Sequence, residues 1–460
     1  MVIEEHARLE ILLPNETDWR FLSEDDIIKD SLSIASKCMD DGSFMLGGVF
    51  SAQLSAKFRI SDKNVNSYTM IGAKIKVYSW YRNKEKLRGI FWVTSASRNS
   101  DIYTISASDA LIWFDSTSYD DREQGTSENK IYESLRTERD ITDNLEMIVN
   151  IVKEIVGNDK EIAYRPDKNM VNNKPRNKGY MLLSPDKVGE ISTKNPRDYI
   201  SWLAELACGF AFVNYDKGDA WIKIGQFWED AFIEILPEET ELNSCEISDF
   251  KLKFNRVYAE IYNGSSGSKY GGYTSGGITI DISANPFKDG HWESNGGNAM
   301  DVIGNIYEKL TVNRINFRPF KLKCHKNDFF EIEQDIKPFE LGQKVKLPNG
   351  EFSLLTGIKW QFRGGYTLSC AGRDTRILSV AAKRSQAAKV RDMAFTKINT
   401  EKSDVLKRLE NSKNDLQGQI SSKSDEISSL GSRINNLENS DFQGHINELR
   451  NRIEALENGG

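Results

Sequence analysis

Ala56-Lys57-Phe58-Arg59-Ile60, Ala73-Lys74-Ile75-Lys76-Val77-Tyr78 and Gly89-Ile90-Phe91-Trp92-Val93 decide the class of the first part of this chain. They show period-two patterning rich in β-branched and aromatic side chains, and turns cut the pattern every ten or so positions. That combination predicts short half-buried strands, and residues 1–115 read as a small β-barrel or sandwich. Ser116 to Asp140 is polar and charged and reads as a surface excursion.

The period then changes. Ile141, Leu145, Ile148, Val152, Ile155 and Val156 recur at three and four, with Thr142 as a candidate N-cap and Gly157 as a stop, so an amphipathic helix is expected. A second helix is marked by Asn195 before Pro196, apolar Tyr199, Trp202, Leu203 and Leu206, and a stop at Gly209. Phe210 to Tyr215 and Ala220 to Phe227 flank Asp216-Lys217-Gly218-Asp219 as a hairpin. Residues 116–250 therefore read as an α/β insert. Strand-like patterning returns over 251–378, interrupted by the Gly/Ser/Tyr loop Gly264 to Gly277 and a short helix candidate near Ala299 to Leu310. Here Leu341-Gly342-Gln343-Lys344-Val345 starts a strand and Pro348-Asn349-Gly350-Glu351-Phe352 makes a tight turn. Ile358 to Phe362 pairs with Tyr366 to Cys370 across Arg363-Gly364-Gly365.

From about Ala381 aromatic residues nearly vanish, and Pro348 is the last proline. One heptad frame runs through Leu406, Leu409, Lys413, Leu416, Ile420, Lys423, Ile427, Leu430, Ile434 and Leu437, and eight of these ten positions are apolar. A second run, Ile446, Leu449, Ile453 and Leu456, sits two residues out of frame, so Asn439 to Gly444 is expected to break the supercoil locally. As one helix, Leu406 to Leu456 would form a rod of about 75 Å at about 1.5 Å per residue. A single exposed helix of that length is not stable alone, so residues 379–460 predict a linker and a coiled-coil stem shared with partner chains. The fold class is thus mainly β with an α/β insert, two small β-barrels and a C-terminal α-helical coiled coil.

At 460 residues the chain is too long for one compact domain, and 39% hydrophobic with 28% charged residues is an ordinary globular balance. A net charge of −7, with pI near 5.5, argues against nucleic-acid or anionic-membrane binding, which need basic faces. The five cysteines, Cys38, Cys208, Cys245, Cys324 and Cys370, are far apart and odd in number. They signal neither a disulfide framework nor a zinc knuckle and read as reduced, mostly buried side chains. Met1-Val2-Ile3-Glu4-Glu5-His6 lacks the basic start and apolar run of a signal peptide, and no window approaches a membrane span. Folding in a cytoplasm is expected.

Arg433-Ile434-Asn435-Asn436-Leu437-Glu438 and Arg452-Ile453-Glu454-Ala455-Leu456-Glu457 share the pattern Arg-h-x-x-h-Glu. It resembles short trimerisation motifs, in which the Arg stem packs over the apolar seam while its head pairs with Glu of a neighbouring helix. An ordinary coiled coil with charges at g and e is the simpler reading, and Ile at a with Leu at d favours two strands. The double occurrence favours three. The predicted oligomerisation residues are Leu406, Leu409, Leu416, Ile420, Ile427, Leu430, Arg433, Ile434, Leu437, Glu438, Ile446, Leu449, Arg452, Ile453, Leu456 and Glu457.

No catalytic pattern appears. The four histidines, His6, His291, His325 and His445, are scattered, and no H-E-x-x-H, G-x-S-x-G, P-loop or Rossmann glycine pattern occurs. Cys324-His325 is adjacent in sequence, but neighbours on a strand point to opposite faces, which disfavours a dyad. No Lys-Ser/Thr follows the glycines of Gly264 to Gly277, so a mobile surface loop outranks a phosphate cradle. Asp40-Asp41-Gly42-Ser43 and Asp216-Lys217-Gly218-Asp219 lack the spaced acids and distal Glu of a calcium loop and read as turns. No enzyme activity, cofactor or metal is expected.

Several stretches also recur in a known order. Asp30-Ser31-Leu32-Ser33-Ile34 through Phe44-Met45-Leu46-Gly47-Gly48-Val49-Phe50-Ser51-Ala52-Gln53-Leu54 comes first, then Tyr199 to Phe210 with its hairpin. Asn285-Pro286-Phe287, Arg318-Pro319-Phe320 and Leu341-Gly342 followed by Phe352 to Phe362 complete the set. Over roughly residues 1–375 this order resembles the tail-associated (Tal-like), baseplate-hub family of phages of Gram-positive bacteria. The resemblance implies a homotrimeric ring at the tail tip, with two similar β-barrels per chain in pseudo-sixfold match to a hexameric tube, continuing into a central stem. Implied neighbours are the tail tube and distal tail proteins, the tape measure protein, and a receptor-binding or fibre protein at the stem. DNA would pass without specific binding, and an acidic chain suits such a lumen. Many members carry a peptidoglycan hydrolase or carbohydrate-binding domain after the hub. This chain ends in Asn458-Gly459-Gly460 after the coil, so a docking stem is expected over wall digestion, a tail-associated hydrolase being the alternative. A bacterial surface adhesin with a coiled stalk is a third reading, disfavoured by the opening residues.

Overall fold

The structure, a computed structural model, describes residues 5–14, 16–39, 44–62, 65–81, 84–116, 141–156, 162–164, 181–182, 196–216, 219–227, 232–241, 244–249, 251, 254–259, 268–271, 278–282, 285, 287, 291–292, 304, 306–307, 310, 318–325, 339–372 and 375–459. The chain divides into two units, Met1–Arg391 and Asp392–Gly460. The first is mainly β and the second is helical.

In chain order the strands are β1 (His6–Leu12), β2 (Arg20–Leu22), β3 (Ser33–Lys37), β4 (Gly48–Val49), β5 (Gln53–Arg59), β6 (Lys74–Tyr81), β7 (Lys84–Asn99), β8 (Ile102–Ser108), β9 (Ile162–Tyr164) and β10 (Met181–Leu182). There follow β11 (Gly209–Asp216), β12 (Asp219–Gln226), β13 (Phe232–Glu234), β14 (Glu246–Ile247), β15 (Phe254–Ala259), β16 (Ser268–Gly271), β17 (Ile278–Asp281) and β18 (His291–Trp292). The last are β19 (Phe320–Cys324), β20 (Lys344–Lys346), β21 (Phe352–Leu354), β22 (Gly357–Gln361) and β23 (Gly365–Cys370).

Eleven strands form one sheet in the order β14-β19-β23-β22-β3-β5-β8-β7-β6-β1-β2. The alternation that predicted strands is visible as burial: in β5, Leu54, Ala56 and Phe58 face the core while the residues between them face solvent. Residues expected to form two separate barrels therefore share an open sheet, and no sheet closes on itself among the described residues. The reason is the β3–β22 pairing, with Ser36 opposite Ile358 and Ile34 opposite Trp360, which joins the two ends of the unit.

That junction carries a buried polar cluster. Arg88 of β7 pairs with Glu5 at 3.1 Å, both side chains being buried, and Arg88 Nε donates to Ser79 Oγ at 2.6 Å. The Arg88 guanidinium lies 4.7 Å from the ring centroid of Trp360, whose Nε1 donates to Glu5 Oε1 at 3.3 Å. The Arg363 backbone N–H donates to Glu5 Oε2 at 3.3 Å. Arg363 and Gly365 adopt left-handed φ of 61° and 73°, which closes the β22–β23 hairpin.

Helix α1 (Ser67–Met70) is capped by Asn66, and α2 (Ile112–Ser116) follows β8. Helix α3 (Ile141–Val156) matches the expected span, although Thr142 lies inside its first turn instead of capping it, and Gly157 is outside the described residues. Helix α4 (Pro196–Leu206) starts at Pro196 as expected, but its left-handed stop is Cys208 at φ 61° rather than Gly209, which already opens β11. Strands β11 and β12 form the expected hairpin, with Asp216 opposite Asp219, and β4 and β9 flank it in parallel. Residues 268–271 of the expected mobile glycine loop instead form β16, paired with β15. The Asp40–Ser43 turn, most of the excursion to Asp140 and most of the helix candidate near 299–310 lie outside the described residues.

Two of the quoted stretches of sequence meet on α4. Gly47, at φ 71°, accepts from Ser201 Oγ through its carbonyl at 2.6 Å and donates its N–H to Gly209 O at 2.8 Å. An added Cβ at Gly47 would lie 2.5 Å from Ser201 O, and one at Gly48 only 1.9 Å from Cys38 O, so the backbones touch where the glycines stand. Asn285 Nδ2 donates to Trp202 O at 3.0 Å and to Glu205 Oε2 at 2.9 Å, and Phe287 packs against Tyr199 and Trp202. Arg318 pairs with Glu351, and Ser353 Oγ donates to Arg318 O, which ties two further stretches together.

Candidate functional site: an exposed apolar seam

The C-terminal helix α5 (Thr375–Glu457) runs for 83 residues without proline, and nothing in its sequence stops it before Asn458-Gly459. Its apolar residues have no core to enter within the second unit. Leu416, Ile420, Ile427, Leu430, Ile434, Leu437, Phe442, Ile446, Leu449, Ile453 and Leu456 are between 45% and 81% exposed. An isolated apolar side chain on a surface needs no explanation, whereas a stripe of this length does. Covering one Leu or Ile fully is worth roughly 1.5–3 kcal/mol, so the stripe holds most of the free energy available to the second unit.

The helix contains every predicted oligomerisation residue; the side chains of Leu406 and Leu409 lie outside the described set. Arg433, Glu438, Arg452 and Glu457 are exposed and make no ion pair within the chain among the described residues. Each Arg stands five residues before its Glu, which puts the two on different sides of one helix, about 140° apart at about 100° per residue. Lys423, one of the two lysines on the seam, reaches sideways to Glu426 at 2.6 Å. Phe442 is the one large exposed residue of this stretch that the two heptad runs left out. Its spacing of four before Ile446 is the signal that places it.

Chemistry-bearing groups elsewhere are dispersed. Among the described residues no cluster of three or more His, Cys, Asp and Glu is placed to hold a metal ion. Cys324 is buried at the end of β19 while His325 is exposed and donates its backbone N–H to Glu239 O at 2.7 Å, so they form no dyad. Cys38, Cys208 and Cys370 are also buried and Cys245 is exposed, and burial pushes the Cys38 thiol well up. No helix of the described residues is long and apolar enough to cross a membrane.

Asp109 is the most perturbed carboxyl. Burial pushes its pKa up to about 7. The opposing influences are backbone N–H groups of Ala52 and Leu111, at 2.8 and 3.1 Å, and the charge of Arg197. Arg197 of α4 in turn holds Ser51 Oγ at 2.7 Å, Leu111 O at 3.0 Å and the Asp115 carboxylate at 2.9 Å. Through these contacts Arg197 fastens α4 to the chain just before β5 and to α2, a packing role.

No protein-family model matches the sequence. No curated protein matches it either. Among solved structures, the chain is similar to the 43 kDa tail protein of prophage MuSo2 from Shewanella oneidensis, with 10% identity, 79% of this chain and 97% of that one covered, and a TM-score of 0.43. It is also similar to the prophage tail protein gp18 from Listeria monocytogenes EGD-e, with 11% identity, 83% and 99% covered, and a TM-score of 0.40.

Proposed function

We propose that this chain is a structural protein of a bacteriophage tail, a homotrimeric baseplate hub at the tail tip whose C-terminal helices form a central coiled-coil stem. The observation that carries this reading is the exposed seam of α5, which has no partner within its own unit and bears the Arg-h-x-x-h-Glu pattern twice. Three copies would bury the stripe and bring each Arg to a Glu of the neighbouring helix. The ordered sequence landmarks support the hub assignment, and two of them contact a third, α4, which gives those three a physical reason to occur together. This reading puts the chain in the same class of particle component as the two prophage tail proteins above.

In the virion the resemblance implies a ring of three chains beneath the tail tube and distal tail proteins. The tape measure protein would end against it, a receptor-binding or fibre protein would dock on the stem, and DNA would pass without specific binding. The role proposed is one of assembly, without catalysis.

Light scattering on the full chain, and on a version ending at Arg376, tests this reading. A threefold mass that falls on truncation supports the trimeric stem. A monomeric full chain overturns it.

A further inference from the structure

The two apolar stripes of α5 occupy different heptad frames. The first places Ile434 at a and Leu437 at d, and would continue through Asp441 and Gly444, neither of which suits a seam. Phe442, 73% exposed, instead falls four residues before Ile446, at position d of the second frame. The change of frame is therefore confined between Leu437 and Phe442, where a heptad repeat expects steps of three or four and the chain takes five.

The helix does not break there. Residues 437–442 remain helical, and Ser440 Oγ donates to Leu437 O at 2.9 Å. The shift is consequently a turn of the apolar face about a continuous axis. At about 100° per residue, the midpoint of Ile434 and Leu437 and that of Phe442 and Ile446 lie roughly a third of a turn apart. One uninterrupted left-handed supercoil cannot keep both faces inside.

The charges move with the frame. Arg433 and Glu438 hold g and e of the first, and Arg452 and Glu457 hold g and e of the second. A g side chain meets the e side chain five residues further along a parallel, in-register neighbour. Each stripe thus carries its own charge complementarity to another copy of this chain, although the stripes face different ways.

We propose that the stem consists of two consecutive parallel trimeric cassettes, the first ending at Leu437 and the second spanning Phe442 to Leu456, each built from copies of this chain and each assembling and melting separately. This inference rests on the trimeric-stem reading.

Four full-length versions test it by light scattering and by helical circular dichroism on heating: the unaltered chain, Ile446→Asp with Ile453→Asp, Ile427→Asp with Ile434→Asp, and an insertion of two alanines between Asn439 and Ser440. The insertion puts Phe442 and Ile446 on the first frame. Expected are a threefold mass and two steps of helix loss for the unaltered chain, and retention of the mass with loss of one step for the distal pair. The proximal pair should lose the other step. The insertion should merge the two steps into one at higher temperature. A trimer that melts in a single step, or that falls apart with the distal pair alone, overturns the two-cassette inference and leaves the trimeric stem standing. A monomeric unaltered chain overturns both.

Discussion

Arg88 donates to the phenolic oxygen of Tyr366 at 2.7 Å across 278 positions of sequence, and so binds the first hairpins of the β unit to the last one. The same guanidinium holds Glu5, and replacing it with a neutral chain strands a buried carboxylate. Arg88→Met is expected to lower unfolding free energy by roughly 3–5 kcal/mol, and Tyr366→Phe by about 1–3 kcal/mol. Denaturant midpoints on the full chain measure both, and equal, negligible losses would show that the cluster does not hold the ends together.

Gly48 stands where a methyl group would meet Cys38 O at 1.9 Å. Gly48→Ala must therefore push β4 and the Cys38 backbone apart, and a loss of at least about 1–3 kcal/mol is expected. Gly350→Ala is the matched control for added bulk, since nothing lies within 4 Å of a Cβ there, although its φ of 82° carries a separate strain. The ratio of soluble to insoluble protein, followed by thermal melts, compares the two.

Burial disfavours the charge of the Asp109 carboxyl and holds its pKa up at about 7 in the folded chain, against the ordinary 3.8 of an exposed one. The folded state therefore holds a proton that the unfolded state has released between those values. Its contribution to stability is complete below about pH 4 and is lost as pH rises towards 7, at up to about 1.4 kcal/mol per pH unit. Asp109→Asn removes the titration. Subtracting its denaturation free energies from those of the unaltered chain between pH 4.5 and 7.5 should leave a line falling with pH, and a flat difference would mean that Asp109 stays ionised.

Ile427→Asp with Ile434→Asp places charges inside the proximal seam. Under the trimeric reading the helix signal contributed by that part of the stem should disappear, while the β unit keeps its melting temperature. Hydrogen exchange resolved by peptide separates the two. Protection retained over residues 416–437 would argue that the seam is not a self-association surface.

Much of the local structure was legible because it is written in local chemistry. Pro196 fixes the start of α4, the alternation in β5 fixes its buried face, and Arg363-Gly364-Gly365 fixes a hairpin. Sheet partnership was not legible: Ser36 and Ile358 carry nothing that announces one another, so two barrels were expected where one open sheet stands. Cys208 took the left-handed position beside an available glycine because Gly209 is needed as the first residue of β11. From Leu416 on, the exposed apolar stripe falls at the positions that heptad counting names, with the addition of Phe442, which counting from Ile446 forward does not reach.

Glu5 lies under Trp360, 355 positions later, and this separation sets an order of events during synthesis. At roughly 5–20 residues per second a ribosome takes about 20 to 70 s to travel from one to the other. Throughout that interval β3 has an open edge and Glu5 lacks its Trp360 and Arg363 donors, a state that invites pairing with other nascent chains. The helix that follows at Thr375 emerges only after the missing strands have been made. On the trimeric reading, monomer folding thus gains a head start over association, and a message cut short before Gly357 would yield a chain with an uncovered β3 edge and without the stem.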